Sequence, residues 1–361
     1  MNVRLNRSLA ILTLITGVAF GGPIGYFQTN LTSDIMGLAP NFDPNLKNPW
    51  GISFAPTSPF WVSDQVTNVA TLYNGVGVPQ SLVVSIPPAP PPPGPSGPTG
   101  QVFVGGLGFT MTSGSSATFV FATLGGNIDA WNSGTSAITQ FTATDGAIYT
   151  GLAQVGSLLY AADTRNGKID VFNSSFQKTT VSGGFANASV PVGLTPYDIQ
   201  NIGGKLYVEY AKRNDPRGFV GVFDANGNLT QNISDTHLNS PWGVTLAPAT
   251  FGQFGSDLLI GNFGDGTINA FNPVTGAFIG TLSDINGKPI VNSGLWSLQF
   301  RTVSQPTFDT NTLFFTAGIN AETDGLFGQI QQAPEPGTLS MLGLGLGVVA
   351  LAFRKASHRL N

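Results

Sequence analysis

The amino-acid sequence predicts an all-β chain whose strands group into six sheet units around one axis, a six-bladed β-propeller. Three observations carry this. Of 361 residues, 47 are glycine and 25 proline and only 9% are charged, a turn-rich composition that excludes coiled coils, helix bundles and dinucleotide-type α/β enzymes. One short strand grammar recurs along the interior. Apolar starts near residues 50, 104, 152, 197, 242 and 296 give a spacing of 45–54 residues, the size of a four-stranded blade.

The chain opens with Arg4 and Arg7, the apolar run from Leu9 to Phe20 and small residues, the layout of a secretory signal peptide over residues 1–21. The propeller is expected over 22–332. Ile24–Leu31 is expected to close the ring by adding an outer strand to the last blade, which removes a free sheet edge. Each unit begins with an apolar strand, such as Pro49-Trp50-Gly51-Ile52 or Pro241-Trp242-Gly243-Val244. A second strand follows, as in Phe60–Asp64, Leu158–Asp163 and Asp257–Gly261. The third ends in an aromatic and then Asn or Asp: Tyr73-Asn74, Trp131-Asn132, Phe172-Asn173, Phe223-Asp224 and Phe271-Asn272. Alternation puts Ile128, Ile169 and Ile268 on one face and the terminal aromatic on the other, while the Asn or Asp closes a tight turn through its own backbone. The sixth unit, from Leu295 to Ile330, lacks that ending. Asp145-Gly146, Asp265-Gly266 and Asp324-Gly325 read as hairpin signals. Residues 87–98, mostly proline, read as an extended surface loop between the first two units.

At the C-terminus, residues 333–361 carry Pro334-Glu335-Pro336, an uncharged run expected to form a transmembrane helix over about 338–353, and the basic flank Arg354, Lys355 and Arg359. The positive-inside rule leaves this flank cytoplasmic and the bulk of the chain outside. The ending resembles the PEP-CTERM sorting signal. That resemblance implies an exosortase-type processing enzyme as partner and an exported chain held in the membrane by its C-terminal helix before processing, in the cell envelope or outside the cell.

The repeats, with Asn48-Pro49-Trp50-Gly51, Gly203-Gly204-Lys205-Leu206-Tyr207-Val208 and Asn239-Ser240-Pro241-Trp242-Gly243, resemble exported conserved hypothetical six-bladed propellers of the NHL-repeat and gluconolactonase-like type. The resemblance spans roughly residues 24–330.

Little in the sequence announces chemistry. Cysteine is absent, and the two histidines are His237 and His358, so thiol catalysis and histidine-rich zinc sites are excluded. Neither a phosphate cradle, a G-x-S-x-G elbow nor a D-x-D-x-D-G calcium loop is present. Apart from Arg4, Arg7, Arg354, Lys355, Arg359 and Glu335, ten basic residues face eighteen acidic ones, which argues against nucleic acid as a partner.

What remains is the channel mouth, where the inner strands start. Asn48 before Trp50, Asn239 before Trp242 and Asn292 before Trp296 occupy similar places, and with Asp198 they offer oxygens for sugar hydroxyls or a hard cation and tryptophans for stacking. The competing reading has the asparagines capping turns and the tryptophans filling gaps between blades. In gluconolactonase-like propellers such a channel holds a divalent metal; the resemblance therefore allows Ca2+ or another divalent cation, although the matching set of acids is not found here. Asp64 and Asp163, at second-strand ends, read as turn or inter-blade groups.

The expected function is an exported, envelope-sorted binding or scaffold module linked to extracellular polysaccharide, matrix or a protein partner, without catalytic residues. A metal-dependent hydrolase or lactonase using the channel is the alternative, and a self-packing scaffold the third reading.

Overall fold

The computed structural model describes residues 25–88, 96–303 and 308–334. The expected signal peptide, the transmembrane segment, Glu335, Pro336, Arg354, Lys355 and Arg359 lie outside the described residues, as do residues 89–95 of the proline-rich stretch. Among the described residues, no helix is long and apolar enough to cross a membrane.

Residues Gly25–Gln332 form a six-bladed all-β propeller. Five blades are consecutive four-stranded antiparallel sheets; the fourth, for example, runs Thr195–Ile202, Lys205–Ala211, Phe219–Phe223 and Leu229–Ile233. The sixth combines Leu295–Phe300, Leu313–Ala317 and Leu326–Gln332 with the N-terminal strand Tyr26–Ser33, which pairs antiparallel with Leu326–Gln332, Tyr26 opposite Gln332 and Ser33 opposite Leu326. The ring is thus closed by the strand expected to close it, and a short parallel strand, Asn41–Phe42, is added outside.

The alternation of each third strand explains the packing. Ile128, Ile169 and Ile268 turn toward the next blade, whereas Tyr73, Phe172, Phe223 and Phe271 turn toward the preceding one, so a single strand feeds two interfaces. Six buried clusters result, one between each pair of neighbouring blades, and each fully buried Phe or Leu in them contributes about 1.5–3 kcal/mol. The turn chemistry follows the grammar: Asn74, Asn173, Asp224 and Asn272 each accept two backbone N–H groups through Oδ1, at 2.8–3.0 Å.

Three local expectations change. Pro98 opens the inner strand of the second blade, Pro98–Phe103, because it sits at the strand's first position, where its missing N–H costs no ladder bond. Asp145-Gly146 connects blades two and three instead of turning a hairpin, its Oδ1 accepting the Ala147 N–H. Asp324-Gly325 ends the longer second-to-third-strand connection of blade six, whereas Asp265-Gly266 does turn a hairpin, with Gly266 at φ 74°.

Candidate functional site at the channel mouth

In this topology the starts of the inner strands lie at the same end as the turns between second and third strands. Both kinds of connection therefore meet at one mouth. Register fixes which residues are equivalent: Pro49, Pro98, Tyr149, Pro196, Pro241 and Leu295 pair with the ends of their second strands. The next position holds Trp50, Thr99, Thr150, Tyr197, Trp242 and Trp296, and the one after it Gly51, Gly100, Gly151, Asp198, Gly243 and Ser297.

Three of the aromatics meet. Trp50 stacks on Trp296 with ring centroids 3.7 Å apart, and Trp242 stands edge-on to both at 6.0 and 5.6 Å. All three are buried, packed with the half-buried Leu124, Tyr197 and Phe263, so residues from five blades converge on the axis. The indole N–H of Trp296 donates to Asn48 Oδ1 at 2.9 Å, whereas those of Trp50 and Trp242 have no partner. Glycine one position further on is required by space: a Cβ on Gly51 or Gly243 would lie 2.5 or 2.4 Å from a carbonyl of the following inner strand.

Asp198 interrupts this ring of small residues. It is buried directly opposite Glu209, also buried, on the neighbouring strand. Asp198 Oδ2 accepts from Gln200 Nε2 at 3.0 Å, but its Oδ1 and both Glu209 oxygens have no partner. Burial pushes both carboxyls well above the usual range, and for Glu209 the neighbouring Asp198 adds repulsion. Two like charges facing each other in a low dielectric favour a protonated state.

At the rim, Asn48 sits in the left-handed region at φ 46° and gives its amide N–H groups to Gln65 Oε1 at 2.9 Å and Glu322 Oε2 at 3.5 Å. Glu322 ends the helical turn Ile319–Glu322 and pairs with Arg213, so a blade-six connection is tied to a blade-four connection across the mouth. Arg213 also lies beside the Tyr197 hydroxyl, whose pKa burial raises against the pull of that cation. Asn320, Ala321 and Glu322 all have positive φ, 52°, 55° and 69°. Each such residue costs roughly 1–2 kcal/mol, a strain the neighbouring contacts must hold.

The asparagines keep separate partners. Register puts Ser240 and Gly294 in the position of Asn48, all three with positive φ, so Asn239 and Asn292 stand one and two residues earlier. Asn239 reaches Asp265 at 3.3 Å, and Asn292 exchanges two amide bonds with Gln28 at 2.8 and 2.9 Å. Missing from the sequence reading were Gln65, Tyr197, Arg213, Phe263 and Glu322; apart from Tyr197, they come from second-to-third-strand turns, and their one signal was position in those turns.

Other polar groups are already engaged. Asp145, Asp163 and Asp170 bring carboxylate oxygens within 4.8 Å of one another, but Lys168 lies 2.9 Å from Asp145 and 3.2 Å from Asp170, and Lys178 2.7 Å from Asp170. Two ammonium groups thus occupy the place of a cation. His237 stacks flat on Phe278, ring centroids 3.6 Å apart, with Nδ1 2.6 Å from Asp235 Oδ1.

Comparison with known proteins agrees with the two parts of the chain. Residues 332–356 match the PEP-CTERM protein-sorting motif. Uncharacterized protein R648 of Acanthamoeba polyphaga mimivirus is 30% identical over 331 residues, 85% of this chain and 79% of that protein. Uncharacterized protein L690 of the same virus is 29% identical, over 81% of this chain and 82% of its own. Among solved structures, a catalytically inactive virginiamycin B lyase variant from Staphylococcus aureus with quinupristin matches at TM-score 0.51 and 14% identity, covering 85% of this chain and 99% of that one. A structural-genomics protein from Bacteroides thetaiotaomicron matches at TM-score 0.53 and 11% identity, covering 86% and 76%. The likeness to these two solved structures is one of fold.

Proposed function

We infer that this chain, which belongs to the family of uncharacterized protein R648 of Acanthamoeba polyphaga mimivirus, is an exported, envelope-sorted propeller that binds a saccharide at its channel mouth. The sorting motif at 332–356 supports export and exosortase processing. The observation that carries the binding role is the mouth itself. Half-buried Tyr197 and Phe263 flank the tryptophan cluster, and Asn48, Arg213 and Glu322 form a hydrogen-bonding rim above it. Aromatic faces beside forked donors and acceptors suit a ring with one apolar face and several hydroxyls. Such a module presents polar groups that hold a ligand in place and needs no general base or nucleophile among them.

Tryptophan fluorescence of the full-length protein, titrated with a panel of hexasaccharides, tests this reading. Binding should perturb the emission, and Phe263→Ala should weaken it at least tenfold. A panel without a binder, or Phe263→Ala binding as tightly as the parent, overturns it.

A further inference from the structure

The charge of Arg213 is the feature of the mouth that the saccharide reading leaves unused. Its side chain is 59% exposed, yet its guanidinium is met by Glu322, whose side chain is only 16% exposed. A guanidinium fork matches a planar carboxylate, and a second carboxylate presented by a ligand competes directly with Glu322. Three features make that exchange feasible here. Glu322 is delivered by three successive left-handed residues, none of them glycine, so the turn that carries it already bears backbone strain. The amide of Asn48 reaches the same carboxylate at 3.5 Å, leaving a second donor for an incoming oxygen. Asn48 also accepts the Trp296 indole N–H, which couples any rearrangement at the rim to the stacked Trp50–Trp296 pair.

We propose that the mouth selects a carboxylate-bearing saccharide, a uronate, whose carboxylate takes the place of Glu322 on Arg213 while its ring lies against Tyr197 and Phe263. The Ile319–Glu322 turn then acts as an internal stand-in for the ligand. This rests on the saccharide reading above. An acidic peptide offers the same charge, but half-buried Tyr197 beside Arg213 and Phe263 against Trp296 favour the apolar face of a sugar ring over an extended backbone. The exchange forms and breaks no covalent bond; one ion pair replaces another.

The experiment titrates the full-length protein with hexagalacturonate, maltohexaose and hexaglutamate, reading tryptophan fluorescence and heat. Hexagalacturonate should bind at least tenfold more tightly than the other two. Arg213→Gln should lose that preference, and Glu322→Gln, which frees the guanidinium, should tighten hexagalacturonate binding severalfold and widen its margin over maltohexaose. Both positions are at the rim, and thermal melting verifies that the variants fold. Equal affinity for maltohexaose overturns the uronate proposal and leaves a saccharide-binding mouth. Equal affinity for hexaglutamate, or unchanged or weaker binding by Glu322→Gln, overturns the proposal as well. Absence of binding by either sugar removes the saccharide reading together with it.

Discussion

Asp64 reaches Asp43 through two hydroxyls: Thr71 Oγ1 lies 2.6 Å from Asp64 Oδ2 and 2.9 Å from the Tyr73 hydroxyl, which donates to Asp43 Oδ2 at 2.9 Å. Two hydroxyls supply two protons for three contacts. The third proton must come from an end of the chain, and burial pushes the Asp64 carboxyl well above its usual range. A proton on Asp64 supplies it, giving a head-to-tail series of bonds that ends at Asp43. Asp64→Asn keeps a donor facing Thr71 and should cost less than about 1 kcal/mol, whereas Asp64→Ala should cost about 2–4 kcal/mol through the lost bond and the cavity. Urea unfolding at pH 7 measures both; equal losses would mean that Asp64 is ionised.

Asp129 gives the pH dependence a direction. Burial raises its pKa to about 7 against the hydrogen bond from Thr139 at 2.6 Å. A raised folded pKa means that the native state holds the proton longer than the unfolded chain does. The stability is complete below the unfolded value, near 4, and is lost as pH rises through about 7. Asp64, Asp198 and Glu209 act in the same sense. The lowered carboxyls Asp145, Asp215 and Asp235 act oppositely, losing their contribution as pH falls below about 4. Thermal melting should therefore rise from pH 8 to pH 5, and Asp129→Asn should flatten that slope. A parent protein whose melting temperature falls over this range contradicts the assignment.

How much the sequence disclosed depended on how local the information was. The strand grammar and the turn asparagines act within a few residues, so the six blades, the closing strand and the two-faced third strands were all legible from period and alternation. The mouth was not. Arg213 and Glu322 are 109 residues apart and lie in turns without a recurring motif, and only the closed ring brings them into contact. Counting back from each tryptophan also misplaced the asparagines. The residues before the inner strands vary in spacing, and only pairing with the second strand shows that Ser240 and Gly294 occupy the place of Asn48.

Glu209 faces Asp198 with neither of its oxygens bonded, a burial that costs free energy unless a proton is taken up. Glu209→Gln removes the ionisable group while keeping the shape, and it should stabilise the protein at pH 8 by about 1–2 kcal/mol. Asp198→Asn should do the same. Because each substitution relieves one shared repulsion, the double variant should gain less than the sum of the two. Additive gains in chemical denaturation would show that the two carboxyls titrate independently.

Ring closure depends on Tyr26, at the start of the N-terminal strand. Its hydroxyl donates to the Phe251 carbonyl at 2.8 Å and accepts from the Phe254 N–H at 3.3 Å, while its ring stacks on Phe254 in the interface of blades five and six. Tyr26→Phe should cost about 1–2 kcal/mol by leaving these buried backbone groups unpaired. Tyr26→Ala should cost about 3–5 kcal/mol by emptying the interface. Limited proteolysis should then cut first within residues 26–33, where loosened closure exposes the strand. Initial cleavage elsewhere would place the weak point in another blade.

Gly318 connects the strained turn to the aromatic cluster. A Cβ there would lie 2.1 Å from Asn48 Oδ1 and 2.9 Å from Trp296 Nε1, the two atoms whose hydrogen bond holds the rim to the tryptophans. Neither neighbour has room to yield: Trp296 is stacked on Trp50, and Asn48 is fixed by Gln65. Gly318→Ala should therefore break the Asn48–Trp296 bond, cost about 2 kcal/mol and shift tryptophan emission to the red as the indole meets water. Asn48→Gly removes the same bond but suits the left-handed backbone at φ 46°, so it should cost less than Asn48→Ala by about 1 kcal/mol. If Gly318→Ala leaves both the stability and the emission unchanged, the contact at the rim is not coupled to the tryptophan stack.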